Sequence, residues 1–257
     1  MAISETSKAL NSASELLTLC LDFGNTRKKA ALFKGDKIIS APDIGLGSLD
    51  NISSVLERYH PQNSILSSVT DHDIEIEKLL EKKTKFHKLS EKTKINFSIP
   101  VKHPETVGAD RLALVAAAIK FFPHKNNLII ALGSCITYNF INQYHQFLGG
   151  AISPGKNMRF RAMAEFTHKL PLVEFDESFP LIGYNTKTNL QSGVVMGMTG
   201  EIDGFINNFA EKYSNFNVVL TGGDCAYFAT QLKNKIFADF NFLFKGLYAL
   251  SEINNSK

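Results

Sequence analysis

The chain has 257 residues, of which 44% are hydrophobic and 21% are charged, a composition that is ordinary for a globular protein. Its net charge of +3 is too small to indicate a nucleic acid or an anionic membrane surface as a partner. A chain of this length corresponds to one large domain or to two domains of about 130 residues each.

The three cysteines, Cys20, Cys135 and Cys225, are far apart and form neither a CxxC motif nor a Cys/His pattern. This spacing argues against a structural zinc site and a disulfide scaffold, and it favours a reduced, cytoplasmic setting. Residues 1–15 lack the apolar core of a signal peptide, and no run is long enough to span a bilayer. We expect residues 1–15 to form a disordered N-terminal extension.

The first structured motif is a strand, a polar loop and a second strand. An apolar run over Leu16–Phe23 carries Asp22 near its end, and a Gly-Asn-Thr turn with basic residues follows. The next apolar run, Ala30–Phe33, is too short for a helix before Gly35-Asp36 indicates another turn. The pattern therefore predicts a hairpin whose loop carries side chains with functional chemistry.

This loop has the composition of a phosphate site. Gly24 permits a tight turn, and consecutive backbone N–H groups in such a turn can bind an anion. Thr26 offers a hydroxyl and Lys29 a mobile positive charge, whereas Asp22 would repel phosphate unless a divalent cation lay between them. The alternative is an ordinary hairpin, which the local pattern taken alone slightly favours.

Further elements follow in chain order. Strands are predicted at Asp36–Ser40, Asn63–Val69, Ile95–Ile99, Asn127–Leu132, Ile136–Ile141 and Val218–Thr221. Helices are predicted at Ser48–His60, Asp71–Lys83, Arg111–Phe122, Lys156–His168, Asn185–Lys212 and from Asp224 to about Lys233. The lysines up to Lys94 alternate with glutamates and indicate a solvated face. The tail Phe240–Ile253 is apolar enough to dock on the body of the protein.

The opening motif recurs once. Ala131-Leu132-Gly133-Ser134-Cys135 follows a strand as Asp22-Phe23-Gly24-Asn25-Thr26 does, which indicates an internal duplication with similar halves at 16–125 and 126–257. The long helix of the second half contains four glycines, which predict close packing against a partner helix or a ligand. They are Gly193, Gly197, Gly200 and Gly204.

Four more segments complete an ordered set of motifs. They are His103–Ala113 with its Gly108-Ala109-Asp110-Arg111 core, Leu148–Gly155, Asn185-Thr186 followed by Gln191-Ser192-Gly193, and Thr221-Gly222-Gly223-Asp224. With the Asp22 loop, they occur in the order seen in type III pantothenate kinases. The chain resembles that family from residue 16 to about residue 250.

The resemblance implies an α/β fold of two RNase H-like domains, related by duplication, in the actin-like and sugar kinase superfamily. It implies a homodimer that uses ATP and Mg²⁺ to phosphorylate pantothenate, the first step toward coenzyme A. Asp110 would be the proton acceptor, and Asp22 would hold Mg²⁺ through the phosphates. ATP would contact Asp22, Phe23, Gly24, Asn25, Thr26, Arg27, Lys28, Lys29, Ser134, Gly222 and Gly223. Pantothenate would contact Gly108, Ala109, Asp110, Arg111 and Thr186.

The chemistry of these residues supports the roles independently. Phosphoryl transfer needs a positioned hydroxyl, a metal ion and cations around the γ-phosphate, and a carboxylate is a sufficient base for the hydroxyl proton. Arg111 would keep Asp110 ionised or bind the carboxylate of pantothenate. Asp110 also fits a helix N-cap, and both roles are compatible.

Two positions depart from the family. An Asp that normally opens the second loop, and helps to hold potassium or ammonium, is replaced by Ala131, and a frequent Tyr is replaced by Val101. Because a methyl group cannot ligate a cation, we expect an active kinase with altered cation dependence. The alternatives are a non-catalytic or regulatory nucleotide-binding protein on the same fold, and a kinase for another acceptor such as a sugar.

Overall fold

The computed structural model describes residues 16–255, so the predicted extension at 1–15 lies outside the described residues. In chain order the elements are β1 (Leu17–Phe23), β2 (Lys28–Lys34), β3 (Lys37–Ser40), α1 (Leu49–Tyr59), β4 (Asn63–Ser68), α2 (Ile74–Lys83), β5 (Lys85–Lys88), a 3₁₀ turn (Pro104–Thr106), α3 (Ala109–Phe121), β6 (Asn126–Leu132), β7 (Cys135–Ile141), β8 (Phe147–Pro154), α4 (Lys156–Glu165), α5 (Thr186–Lys212), β9 (Phe216–Gly222), α6 (Cys225–Ala229), β10 (Phe237–Ala238) and α7 (Phe242–Asn255).

The chain folds as two compact units. One contains the described residues up to Phe121 together with those from Phe242 onward, and the other is Phe122–Asn241. Among the residues that the structure describes, none of the helices is both long and apolar enough to cross a membrane.

The first unit is built on a five-stranded mixed sheet in the order β3-β2-β1-β4-β5. Central strand β1 runs antiparallel to β2 and parallel to β4. Its Leu19, Leu21 and Phe23 pack in an apolar cluster with residues of α1 and α2, such as Ile52 and Leu80. Because side chains alternate along a strand, Cys20 and Asp22 project from the opposite face.

That opposite face is covered by the last helix. Phe33, which lies beside Thr18 in the β1–β2 ladder, stacks on Tyr248 of α7 with ring centroids 4.8 Å apart. Helix α7 also packs closely on α3, since a Cβ added to Gly246 would lie only 1.8 Å from the carbonyl oxygen of Ala113. The sequence predicted that all of 126–257 forms one domain. Helix α7 instead belongs to the first unit. Gly246 permits this packing because it has no side chain to separate the backbones of α7 and α3.

The second unit repeats this design. Its five-stranded sheet has the order β10-β9-β6-β7-β8, in which β6 runs antiparallel to β7 and parallel to β9. Strands β6 to β10 correspond in turn to β1 to β5. When the second order is read from β8 to β10, the two sheets have the same strand order and the same directions of the central strands. A core of apolar side chains, including Tyr138, Phe140 and Phe228, packs Val195 and Met198 of α5 against this sheet. The predicted duplication is confirmed by this shared topology.

Several predicted elements differ from the structure. The segment Ile95–Ile99 forms no strand, whereas the lysine-rich segment Lys85–Lys88 is edge strand β5. The glycine-containing segment Phe147–Pro154 is also a strand, β8, paired along β7. Helix α6 ends at Ala229 rather than near Lys233. Strands in charged or glycine-rich stretches are difficult to predict because they are stabilised by pairing with a neighbouring strand and show no side-chain periodicity.

Candidate active site

The site in the first unit begins with a row of three polar residues across the sheet. Asp22 of β1 lies opposite Lys29 of β2 on one side and opposite Ser67 of β4 on the other. Residues that are directly opposite in a ladder project from the same face, so these three side chains share the face that α7 covers. The hairpin predicted from the sequence therefore places a cation beside Asp22, and β4 adds a hydroxyl on the other side.

The loop from Gly24 to Arg27 closes this hairpin. The Gly24 amide donates a hydrogen bond to the carbonyl oxygen of Arg27 over 3.1 Å, and Asn25, Thr26 and Arg27 are exposed. Lys28 differs from Lys29, because its ammonium lies 4.7 Å from the centroid of the Phe23 ring on the opposite face of the sheet. The structure thus groups Lys29, and not Lys28, with Asp22.

Asp110 enters from the start of α3. The helix begins at Ala109, so Asp110 lies in its first turn rather than at the N-cap position that the sequence also allowed. Its carboxylate accepts hydrogen bonds from the backbone N–H groups of Asp110 and Arg111, which belong to the unpaired donors of a helix N-terminus. These backbone bonds help to orient the carboxylate, and the charge of Arg111 acts on it as well.

The two carboxylates influence each other. Burial and, to a smaller extent, the charge of Asp110 raise the pKa of Asp22 to about 7, and Lys29 opposes both effects. Burial also raises the pKa of Asp110, against the backbone N–H groups and Arg111, which lower it. Asp22 and Asp110 therefore belong to one electrostatic site, and a cation between them and a phosphate would relieve the repulsion.

The residues fit Mg²⁺ held jointly with a phosphate. Across residues 16–255 no group of three or more His, Cys, Asp and Glu side chains forms a complete metal cage. Mg²⁺ is usually held by one or two carboxylates together with waters and substrate phosphates, which is what Asp22 can offer. The neighbouring Ser67 Oγ is buried and has no hydrogen-bond partner in the described part of the chain.

The second unit brings together the other predicted nucleotide segments. Gly133-Ser134 forms the turn between β6 and β7, and the Ser134 carbonyl accepts a hydrogen bond of 3.0 Å from the Gly155 amide. The Leu132 carbonyl accepts one of 3.2 Å from the Asp224 amide. A Cβ on Gly155 would lie 2.2 Å from the Gly133 carbonyl oxygen, so only glycine fits there. Ser134, Gly155 and the Gly222-Gly223 turn thus form one edge of this sheet.

A buried ion pair at this edge was missed by sequence reasoning. Lys156 is only 7% exposed, its Nζ lies 2.8 Å from Asp224 Oδ1, and it lies 3.6 Å from the centroid of the Phe175 ring. A lysine at the first position of a helix is disfavoured by the helix dipole, and this signal in the sequence pointed to a partner.

A second missed cluster surrounds Glu201 of α5. Its carboxylate accepts hydrogen bonds from Tyr138, Ser153 and Arg159, which lie on β7, β8 and α4. Burial raises the pKa of Glu201, but the three donors together lower it by more than burial raises it. The pKa of Glu201 is therefore below its usual value. The cluster fixes β8, which carries the Leu148–Gly155 motif, against α4 and α5.

Three other positions of interest lie elsewhere. Ala131 is in β6, with Thr137 and Thr221 opposite on the neighbouring strands. Thr186 is the first residue of α5, and the side chain of Asn185 caps that helix through a 2.9 Å bond from the Thr188 amide. Val101 lies in the loop before the 3₁₀ turn.

The motifs and geometry agree with a comparison to known families. The family model described as type III pantothenate kinase matches residues 18–208. The chain belongs to the type III pantothenate kinase family.

Curated relatives of this family match most of the chain. A type III pantothenate kinase of Flavobacterium johnsoniae is 39% identical over 234 residues, which cover 90% of this chain and 96% of the relative. One of Christiangramia forsetii is 37% identical over 243 residues, covering 94% and 100% of the two chains.

The fold extends beyond the type III pantothenate kinases. A glucokinase from an Antarctic psychrotroph superposes with a TM-score of 0.52 at 11% identity, covering 93% of this chain and 99% of the glucokinase. The predicted fold class of two mixed sheets flanked by helices is confirmed, and this glucokinase shares that fold.

Gly108 controls the position of Asp110 in this pantothenate kinase family member. A Cβ at Gly108 would lie 2.7 Å from Asp110 Oδ1, so Gly108→Ala displaces the carboxylate. We expect kcat to fall by about 10- to 100-fold with little change in melting temperature. Steady-state kinetics and thermal unfolding measure both. Glu105→Gln, an exposed position in the 3₁₀ turn just before α3, is the control, and equal kcat values for the two variants would contradict this role.

Proposed function

We propose that this protein transfers the γ-phosphoryl group of ATP to the hydroxyl of pantothenate and forms 4'-phosphopantothenate, the first step of coenzyme A biosynthesis. The observation that carries the proposal is the interacting pair of Asp22 at a strand end and Asp110 at a helix start within one unit. The relatives named type III pantothenate kinase, which span nearly the full chain, support pantothenate as the acceptor.

At the phosphate side, the loop amides that follow Gly24 and the Lys29 ammonium bind the phosphate oxygens of ATP. Asp22 holds the divalent ion, with Lys29 opposite it in the ladder. Mg²⁺, when bound, supplies neutralisation of the charge on the phosphate oxygens. Within the second unit, the loop at Ser134 and the Gly222-Gly223 turn are the nucleotide contacts that the family resemblance implies.

At the acceptor side, Asp110 accepts the proton of the attacking hydroxyl. Burial raises the pKa of Asp110, which makes it a better proton acceptor than an exposed carboxylate. The backbone N–H groups of the first turn of α3 hold it in place, and Arg111 beside it binds the carboxylate of pantothenate. Gly108 and Ala109 complete the acceptor side within the first unit.

A direct assay separates this function from its alternatives. Purified protein is incubated with ATP, Mg²⁺ and pantothenate in potassium, sodium or ammonium buffer, and phosphopantothenate is detected by mass spectrometry. We expect product in at least one buffer. Product with glucose or N-acetylmannosamine but not with pantothenate would establish a sugar kinase. ATP binding without any product would establish a non-catalytic protein.

We also propose that dependence on a monovalent cation is weaker than in relatives with an Asp at the position of Ala131. A methyl group offers no ligand to potassium or ammonium, so replacing sodium by potassium should change kcat/KM by less than about threefold, while introducing the carboxylate with Ala131→Asp should increase the stimulation. Initial rates in matched chloride salts measure this. A requirement for potassium in the unmodified protein would show that other groups hold the cation.

We propose a homodimer formed through α5. A Cβ on Gly193, Gly197, Gly200 or Gly204 meets no atom within 4 Å, so this helix face is open within the described chain. Nearby Met196 is 45% exposed, and Ile182 and Tyr184 are more than three-quarters exposed. Light scattering should give twice the chain mass of 28.5 kDa, and Met196→Glu should give the monomer, whereas Leu46→Glu in the first unit should not. A monomeric unmodified protein would contradict the proposal.

The cytoplasmic location remains part of the proposal, supported by three cysteines that are all free thiols.

A further inference from the structure

Ser67 combines complete burial with a missing hydrogen bond. Its side chain is 0% exposed, and its Oγ has no hydrogen-bond partner in the described part of the chain. The other two serines of β4 differ, since Ser64 bonds to Thr84 Oγ1 and Ser68 donates to the carbonyl oxygen of Thr70 over 2.8 Å. Ser67 is thus the one serine of this strand whose hydroxyl is unsatisfied in the described structure.

The unsatisfied hydroxyl lies next to the Asp22 carboxylate. Ser67 and Asp22 are directly opposite in the parallel β1–β4 ladder, so both side chains project from the same face. On the other side of Asp22, Lys29 occupies the equivalent place in the antiparallel ladder. Ser67 therefore lies next to Asp22 in the sheet, on the side away from Lys29.

A buried hydroxyl without a partner destabilises a protein, and replacing it with an apolar group of similar shape is neutral or stabilising. Such a group is expected where a ligand supplies the missing interaction. Carboxylates that ligate metals are in turn held by hydrogen-bond donors, and loss of such a donor commonly weakens metal binding by about 10- to 100-fold.

We propose that the Ser67 hydroxyl is a positioning residue for Mg²⁺ binding: it donates a hydrogen bond to the Asp22 carboxylate when that carboxylate turns toward the metal-bound phosphates. The inference rests on the proposed function, because it assumes that Asp22 serves Mg²⁺ and ATP. It adds a residue from β4 to a site otherwise formed by β1, β2 and α3.

The test is the Mg²⁺ concentration needed for half-maximal ATP binding, measured by titration calorimetry on the full chain, together with thermal unfolding without ligand. For Ser67→Ala we expect this Mg²⁺ concentration to rise by about tenfold or more, while the melting temperature rises by about 2–4 °C. A role confined to folding would not produce this opposition, because the variant would then be stabilised with unchanged Mg²⁺ dependence.

Thr199→Val is the matched control. Thr199 is also buried with an unpartnered Oγ1 in the described chain, but it lies on α5 in the other unit. It should raise the melting temperature without changing the Mg²⁺ dependence. If Ser67→Ala does not fold, Ser67→Cys repeats the comparison, since a thiol fills the space but is a weak hydrogen-bond donor.

The outcomes separate the two levels of the proposal. If the unmodified protein binds ATP with Mg²⁺ and the Ser67 variant needs the same Mg²⁺ concentration, the role of Ser67 is overturned and the kinase function stands. If the unmodified protein shows no Mg²⁺-dependent ATP binding, the proposed function itself fails.

Discussion

Asp22→Asn should abolish Mg²⁺-dependent ATP binding and at the same time raise the melting temperature at pH 8 by about 4 °C, which corresponds to ~1.5 kcal/mol. Binding is lost because an amide cannot replace a carboxylate as a ligand for a hard cation. Stability rises because the ionised Asp22 is partly buried and repelled by Asp110, and an uncharged amide has neither cost.

The gain in stability should depend on pH. Burial and Asp110 raise the pKa of Asp22 from 3.8 to about 7 in the folded chain, so between these values the folded state holds a proton that the unfolded state has released. The stability that this proton provides is fully present below pH 4 and is lost as the pH rises through 7. The difference between variant and unmodified protein should therefore be small at pH 5 and largest at pH 8.

Thermal unfolding of both proteins from pH 5 to pH 8, without nucleotide or metal, measures this difference. Asp71→Asn is the control, because Asp71 is exposed, and its substitution should leave the melting temperature nearly constant across this range. A destabilised Asp22→Asn protein at pH 8, or a difference that does not grow with pH, would show that the carboxylate is not strained in the folded state.

Asp110→Asn should lower kcat by about 100- to 10,000-fold while ATP still binds, since the substitution removes the proton acceptor and leaves the phosphate loop intact. The variant should also bind Mg²⁺ and ATP somewhat more tightly at pH 6.5. The reason is that the charge of Asp110 raises the pKa of Asp22, so its removal lets Asp22 ionise at lower pH.

Single-turnover kinetics and calorimetry at pH 6.5 and pH 8 distinguish the two effects. Glu105→Gln is the control, because Glu105 is an exposed carboxylate in the turn just before α3, and its kcat should be unchanged. An Asp110→Asn protein with normal turnover would remove Asp110 from the base role.

The local elements of the site could be predicted from the sequence because their signals are short-range. The apolar run to Phe23 and the turn residues after it predict the β1–β2 hairpin, and the structure contains it with β1 one residue shorter and β2 three residues longer than predicted. The apolar, alanine-rich helix that carries Arg111 was placed within two residues of its bounds. In each of these elements, the order of apolar and polar residues in the sequence predicts which side chains are buried.

Long-range contacts were not encoded in any such pattern. The apolar tail was expected to dock, but its contacts with the first unit, such as Tyr248 on Phe33 and Gly246 against Ala113, join residues far apart in the sequence. Strand β5 was not predicted because its lysines match an exposed helix face equally well. Lysines are also typical of edge strands, where their charge prevents pairing with another chain.

The candidate site follows the same division. Asp22 and Asp110 were named from their motifs, but their proximity depends on the packing of the helices over the sheet. Ser67 lies in a Ser-Ser pair without any motif, and only the β1–β4 register places it beside Asp22. Lys156 carried a weak signal at its helix start, and its partner Asp224 comes from a distant loop.

A crystal structure with a non-hydrolysable ATP analogue, Mg²⁺ and pantothenate bound tests most directly whether Asp22 and Asp110 serve one phosphoryl transfer. We expect the metal-bound phosphates beside Asp22, and the hydroxyl of pantothenate about 2.6–3.2 Å from a carboxylate oxygen of Asp110. Pantothenate bound with its hydroxyl away from Asp110, or a nucleotide whose phosphates and metal do not approach Asp22, would contradict the proposal.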